Sequence, residues 1–98
     1  MSLTGKQRRY LRAQAHHLKP VVLTGGAGVT DAVIEKVDVE LENHELIKVK
    51  VADDADDLRA VADGIATRTR SEVAQVIGKT VVLYRRRKKD PEIKLPTA

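Results

Sequence analysis

The segment VVLTGGAGVTDAVIEKV, Val21 to Val37, has three glycines within four residues, between a β-branched apolar run and a run with helical spacing. The apolar run, Val21 to Leu23, predicts a short buried strand. Thr30 is a favourable N-cap, and Val29 and Ile34 occupy the positions of a hydrophobic staple around it. The segment therefore predicts a strand joined to a helix by a glycine-rich loop.

The loop has the pattern G-x-x-G in the four residues Gly25, Gly26, Ala27 and Gly28. The first turn of a helix has backbone N–H groups without internal partners, at the positive end of the helix dipole. Glycines let a phosphate oxygen reach these donors, and they also adopt the positive φ angles of tight loops. Two interpretations stay open: glycines needed only for turn geometry, or a phosphate site in which Asp31 competes unless it points away.

The N-terminal segment predicts a helix with one apolar and one basic side. Thr4 and Gln7 have the spacing of a capping box, and Leu11, Ala15 and Leu18 repeat with helical periodicity. By helical angle, the opposite side carries four bases, which are Lys6, Arg8, Arg9 and Arg12. We expect the apolar side to be buried and the basic side to be exposed.

The segment HELIKVKVA alternates between apolar and polar residues, which predicts a half-buried strand. Ile47, Val49 and Val51 are expected to face inward. Lys48 and Lys50 are expected to face outward, where they add positive charge to the surface.

A third helix and a hairpin complete the predicted fold. Carboxylates crowd residues 53–57, where a helix dipole favours them, and Gly78–Lys79 separates two apolar runs as a tight turn does. The element order is α-β-α-β-α-β-β, in which a helix between strands favours parallel neighbours and the hairpin is antiparallel. We predict an α+β fold, a two-layer α/β arrangement with helices packed on a mixed four-stranded sheet.

Charge is divided unevenly along the chain. From Asp31 to Asp63 there are 11 acidic and 4 basic residues, whereas the remainder has 14 basic and 3 acidic residues. The run RRRKK at 85–89, followed by Pro91 and Pro96, predicts a solvated or partner-ordered tail. We expect one domain over 1–85 and a basic C-terminal tail over 86–98. The charge division marks either a polyanion site or ordinary solvated faces.

Several classes of protein are disfavoured by composition. The chain has no Cys, which excludes disulfides and thiolate metal sites and fits a reducing compartment. No apolar run approaches the ~20 residues of a membrane span, and the N-terminus lacks a signal core. We therefore expect a cytoplasmic monomer that does not associate with membranes. Tyr10 and Tyr84 are its only aromatic residues, so affinity for a nucleic acid would come from phosphates and shape.

Catalytic and metal-binding patterns are also missing from the sequence. His16, His17 and His44 lack the spacing of metal ligands, and hydrogen bonding or a helix C-terminus explains them better. Neither Ser2 nor Ser71 lies in a nucleophile elbow. The aspartates at 53, 54, 56 and 57 lack the glycine and glutamate of a calcium loop. We predict no catalysis, no cofactor, no metal and no small-molecule substrate.

The segments KQRRYLR, AHHLKPVVLTGGAGVT, HELIKVKV and VIGKTVVLYR, in this order, resemble the bacterial stand-alone CRM-domain proteins, which are YhbY-like. The resemblance covers the chain from about Leu3 to Arg85. It implies a fold like the C-terminal domain of translation initiation factor three, and an RNA-binding function. Bacterial single-domain members are linked to precursor large ribosomal subunits, and plant multi-domain members to group II intron splicing. The resemblance also implies RNA contact at residues 25–28, assisted by bases near 6–12.

The basic helix and the glycine loop predict a non-enzymatic RNA-binding protein, and the resemblance implies that it binds ribosomal RNA of the large-subunit precursor and acts in ribosome assembly. The residues expected to contact RNA are Gly25, Gly26, Ala27, Gly28, Lys6, Arg8, Arg9, Arg12, Lys48, Lys50 and Arg85. We expect residues 85–89 to act as a mobile cationic supplement. The alternative is a protein-interaction module that joins ribosomal particles through its acidic second or third helix.

Overall fold

The computed structural model describes residues 3–25, 28–52 and 57–97. Seven elements follow the predicted order: α1 Gly5–Ala15, β1 Val22–Leu23, α2 Asp31–His44, β2 Leu46–Lys50, α3 Leu58–Thr69, β3 Glu72–Ile77 and β4 Thr80–Tyr84. The aspartates at 53, 54 and 56 lie outside the described residues. The predicted α+β class is confirmed.

The four strands form one mixed sheet in the order β1-β2-β4-β3. β1 runs parallel to β2, with Val22 opposite Val49, as expected for strands separated by a helix. β2 and β3 both pair antiparallel with β4, which places β4 inside the sheet. The hairpin turn has Gly78 at φ +56°, a conformation that glycine adopts without steric cost.

Helices pack on both faces of the sheet, so the sheet lies between two helical layers. The prediction of a two-layer arrangement is therefore wrong, because α1 covers the face opposite to α2 and α3. On one face, α2 and α3 cover a core that includes Val37, Leu41 and Ile65. On the other face, α1 covers a smaller core that contains Leu11 and Ala15. The alternation of β2 is confirmed: residues 47 and 49, with Val51 just after the strand, face α2 and α3, and residues 46, 48 and 50 share the face of α1.

Both predicted helix starts are confirmed by their caps. The Gln7 N–H donates to Thr4 Oγ1 at 3.1 Å, and the Gln7 side chain accepts from the Thr4 N–H at 3.0 Å. Thr30 Oγ1 accepts from the Val33 N–H at 3.2 Å. These side chains satisfy backbone donors that a helix leaves without internal partners.

Three apolar residues, Leu18, Val21 and Leu23, are more exposed than the sequence predicts. α1 ends at Ala15, so Leu18 lies beyond the helix and is exposed. Leu23 is 66% exposed, because β1 is an edge strand and Leu23 pairs with Lys50 at the end of the sheet. Only Val22 of the predicted buried strand enters the core.

The C-terminal segment packs against the domain, and this differs from the solvated or partner-ordered tail that the sequence predicts. The Glu45 carboxylate accepts backbone N–H groups from Arg87 at 3.1 Å, Glu92 at 2.6 Å and Ile93 at 3.0 Å. Ile93 and Leu95 pack beside the core under α1. A buried carboxylate with three donors and two apolar anchors explains why this charged segment is ordered.

Candidate nucleic-acid interface

The ends of the glycine loop are fixed to the sheet and open to solvent. The Thr24 N–H donates to the Lys50 carbonyl, and the Ala52 N–H donates to Thr24 Oγ1, both at 3.0 Å. The Gly28 N–H donates to the Gly25 carbonyl at 2.9 Å. A Cβ added at either glycine would meet no atom within 4 Å. The described ends of the loop are therefore not blocked by the rest of the protein.

The two described glycines have different reasons to be glycine. Gly28 has φ +78°, which L-residues with side chains rarely adopt, so turn geometry alone accounts for it. Gly25 has no such φ angle, and the space around it is open. Gly26 and Ala27, which were also expected to contact RNA, lie outside the described residues.

The start of α2 offers backbone donors beside this loop. Thr30 Oγ1 accepts the hydrogen bond from the Val33 N–H. Helix geometry provides no partner for the N–H groups of Asp31 and Ala32. The Asp31 carboxylate accepts a hydrogen bond from Arg68 Nη2 at 2.6 Å. Its negative charge is thereby offset by a neighbouring guanidinium, which weakens its competition with a phosphate.

The two lysines of β2 continue the surface from the loop toward α1. The Lys50 carbonyl accepts a hydrogen bond from the Thr24 N–H, so Lys50 directly adjoins the loop. Lys48 lies two residues earlier on the same face of the strand. It lines a cavity of about 520 Å³ together with Arg12, His16, His17, Gln75 and Ile77. The cavity connects Lys48 with the C-terminal end of α1.

Burial of Leu11 and Ala15 fixes the rotation of α1 on the sheet. Arg8 and Arg12 follow each other at i and i+4 on the flank near β3, and both are exposed. Arg8 lines a second cavity, of about 440 Å³, together with Arg70. Within the described part of the chain, no ion pair engages any of the six predicted bases of α1 and β2, which are Lys6, Arg8, Arg9, Arg12, Lys48 and Lys50.

The structure separates Arg85 from the other predicted contacts. Its guanidinium donates to Asp38 Oδ1 at 2.5 Å and to the Thr69 carbonyl at 2.9 Å, and it lies 3.4 Å from Glu42 Oε1. The side chain is 19% exposed. Arg85 therefore joins β4 to α2 and α3 on the opposite face of the sheet, and its charge is balanced there. The acidic partners of Arg85, Asp38 and Glu42, belong to the acidic side of α2.

The histidines lie at helix ends. His16 caps the C-terminus of α1, and its ring meets that of His17 edge-to-face, with centroids 5.4 Å apart. His44 Nε2 lies 3.6 Å from Glu40 Oε2, one turn earlier in α2. Among the described residues, no group of three or more His, Asp or Glu side chains is arranged to hold a metal ion. None of the described helices has the length and apolar character needed to cross a bilayer.

Sequence reasoning missed two side chains that line the cavity, Gln75 and Ile77. A strict alternation along β3 starting from buried Ala74 would place both on the face of α2 and α3. The register shift between Val73 and Gln75 instead aligns Gln75 with Val82, on the face of α1. A bulge leaves no reliable signal in a single sequence.

Comparison with known proteins identifies the family of this chain. Residues 3–85 match the family model of the CRS1 / YhbY (CRM) domain. The chain therefore belongs to this family, which confirms the resemblance seen in its sequence.

Similar proteins carry names that refer to RNA. The chain is 44% identical over 95 residues to "Probable RNA-binding protein YqeI" of Bacillus subtilis, covering 96% of this chain and 99% of that protein. It is 41% identical over 96 residues to "RNA-binding protein" of Haemophilus influenzae, covering 97% and 96%. The solution structure of the hypothetical protein SAV1595 from Staphylococcus aureus has a TM-score of 0.85 and 46% identity, covering 96% of this chain and 99% of that one.

Proposed function

We propose that this chain is a non-enzymatic, monomeric RNA-binding protein of the cytoplasm. We infer that it binds ribosomal RNA of the large-subunit precursor and acts in ribosome assembly. One observation carries the proposal: the open glycine loop adjoins Lys50 and continues through Lys48 to Arg12, and these charges have no ion-pair partner among the described residues. Membership of the family and the names of its relatives support RNA as the partner.

The arrangement favours recognition of the RNA backbone. A phosphate placed at the loop meets the free N–H groups of the first turn of α2 and the positive end of its dipole. Adjacent phosphates lie over Lys50 and Lys48 and reach the flank of α1. Since few aromatic or base-reading groups line this surface, affinity is expected to depend strongly on salt.

A salt series on a ribosomal RNA fragment tests the electrostatic part of the proposal. If about five phosphates are neutralised, log Kd plotted against log salt should have a slope of about 3.5 to 4.5 in magnitude. Lys50→Gln should reduce this magnitude by about 0.7 to 0.9. Lys36→Gln is the control, since Lys36 pairs with Glu40 on α2 away from the loop. Equal slopes for the two variants would contradict the assignment of Lys50.

Gly25 provides a sharper test of the loop. Gly25→Asp places a carboxylate where the structure has free space, so the fold should be kept while phosphate is repelled. Gly25→Asn is the matched control, because it has nearly the same shape and no charge. We expect weaker RNA binding for Asp than for Asn. Equal affinities would remove the loop from the interface.

The structure lends less support to the protein-interaction alternative. Asp38 and Glu42, two acidic residues on the expected surface of α2, already pair with Arg85, which neutralises part of their negative charge. The alternative requires that purified RNA alone does not bind at physiological salt. Binding of RNA by the isolated protein therefore distinguishes the two functions.

A further inference from the structure

A second group of free cations lies at the opposite end of the sheet from the glycine loop. Arg70, Arg86 and Lys88 are exposed and line a cavity of about 300 Å³. Arg86 lies two residues after Tyr84, which pairs with Leu46 at the start of β2, whereas the loop adjoins Lys50 at its end. Within the described residues, none of the three cations forms an ion pair.

The carboxylates around this group are already engaged. Asp38 and Glu42, which line the same cavity, interact with Arg85. In the neighbouring cavity, Asp63 Oδ1 lies 3.4 Å from Arg59 Nε, and Glu72 also has an interaction partner. Arg85 offsets one of the two negative charges of Asp38 and Glu42, and the three exposed cations more than offset the other, so the net charge on this part of the surface is positive.

Shared residues connect this group to the loop. Arg70 lines the 300 Å³ cavity and also the 440 Å³ cavity that Arg8 lines. Arg8 lies one helical turn from Arg12, which shares the 520 Å³ cavity with Lys48. Successive basic side chains thus lead from the loop, across the face under α1 and around β3, to Lys88.

Arg70 lies where this path of basic side chains passes from the α1 face of the sheet to the face of α2 and α3. It caps the C-terminus of α3 with φ +56° and ψ +38°, a left-handed conformation that glycine or asparagine adopts more readily. A charged residue in a costly backbone conformation is a reason to look for function at that position. Its placement between α3 and β3 makes it common to both cavities.

We propose that the RNA interface continues around the β3 edge to Arg70, Arg86 and Lys88, and that it binds one single-stranded RNA segment. A straight duplex contacts one face of a small domain, whereas a flexible strand can follow a path that turns around a sheet edge. This proposal rests on the proposed function and adds the kind of RNA and the length of the contact.

Oligouridines of about 4 to about 16 nucleotides, the range of site sizes for single-strand-binding domains, test the proposal on the whole protein. Affinity should rise with length for the unaltered protein. The variant Arg70→Gln/Arg86→Gln/Lys88→Gln should bind short oligouridines as before and lose the gain with length. Its salt-slope magnitude on the longest oligouridine should fall by about 2, which is three contacts at ~0.7 each.

The control Lys19→Gln/Lys36→Gln/Lys94→Gln removes the same charge outside the three cavities. If it reduces affinity for long oligouridines as much as the first variant, general electrostatics explains the effect and the path is refuted. Full affinity of the first variant for the longest oligouridine also refutes it. Equal length dependence with a straight RNA duplex overturns the single-strand assignment.

A measurement on the unaltered protein avoids any effect of substitution on folding. Acetylation of Lys88 by a small reagent should slow when the long oligouridine is bound, and it should not change with the short one. Unchanged reactivity with both contradicts the proposal. Failure of Gly25→Asp to weaken short-oligouridine binding instead contradicts the proposed function, so the two failures are distinguishable.

Discussion

Replacing Glu45 by Gln tests how the C-terminal segment is held. Oε1 accepts the N–H groups of Glu92 and Ile93, and Oε2 accepts that of Arg87. In the variant, the side-chain amide oxygen can still accept the hydrogen bonds from Glu92 and Ile93, but it carries no charge. The side-chain amide nitrogen then lies against the N–H of Arg87, which loses its acceptor. Loss of charge assistance costs about 1 kcal/mol per remaining bond, and the unsatisfied donor costs about 1–3 kcal/mol.

We therefore expect Glu45→Gln to lower the free energy of unfolding by about 3 to 5 kcal/mol at neutral pH. Small domains are stable by about 5–15 kcal/mol, so the effect is large enough to measure by urea unfolding. Glu35→Gln, at an exposed position of α2, is the control and should change little. Equal unfolding midpoints for Glu45→Gln and the unaltered protein would refute the role of the carboxylate.

The effect of this substitution should also depend on pH. Burial raises the pKa of Glu45, but hydrogen bonds from the N–H groups of Arg87, Glu92 and Ile93, together with the charge of Arg87, outweigh it and hold the pKa below its ordinary value. The stabilisation is therefore complete above the unfolded-state pKa and is lost as pH falls through the folded-state pKa. The stability difference between Glu45→Gln and the unaltered protein should shrink in acid. A difference that is the same at acidic and neutral pH would contradict the charged interaction.

Three further substitutions test other parts of the structure. Gly28→Ala should destabilise by about 1–2 kcal/mol because of its positive φ, whereas Gly25→Ala should be close to neutral in urea unfolding. Arg85→Gln should lower stability by about 1–3 kcal/mol and leave the RNA Kd within about twofold, since its charge is balanced inside the protein. Ile93→Ser should lower the thermal midpoint and speed hydrogen exchange at the N–H of Glu92, because it removes an apolar anchor of the C-terminal segment; unchanged exchange would contradict that role.

The features that the sequence predicted correctly are determined by residues that lie close together in the chain. Thr4 and Gln7 are three residues apart, and their capping box follows from that spacing. The alternation of β2 likewise identified Ile47 and Val49 as core residues before any partner strand was known. The exposed loop end at Gly25 agrees with the predicted strand–loop–helix unit.

The features that sequence missed join residues far apart in the chain. Glu45 meets Ile93 across 48 positions, and Arg85 meets Asp38 across 47. Nothing in the run RRRKK signals which of its bases has an acidic partner in the fold. Two of these bases, Arg85 and Arg87, have side chains that are largely buried in ion pairs, while Arg86 between them is exposed.

The central strand β4 has consequences for how the protein tolerates mutation. Val81 and Leu83 enter the core under α2 and α3, while Val82 and Tyr84 enter the core under α1. Because no side chain among these four points to solvent, any polar substitution there disrupts one helical layer or the other. The layer that contains α1 and the layer that contains α2 and α3 thus both pack on side chains of β4. Inherited variation in this protein should therefore accumulate at the sheet edges and leave β4 unchanged.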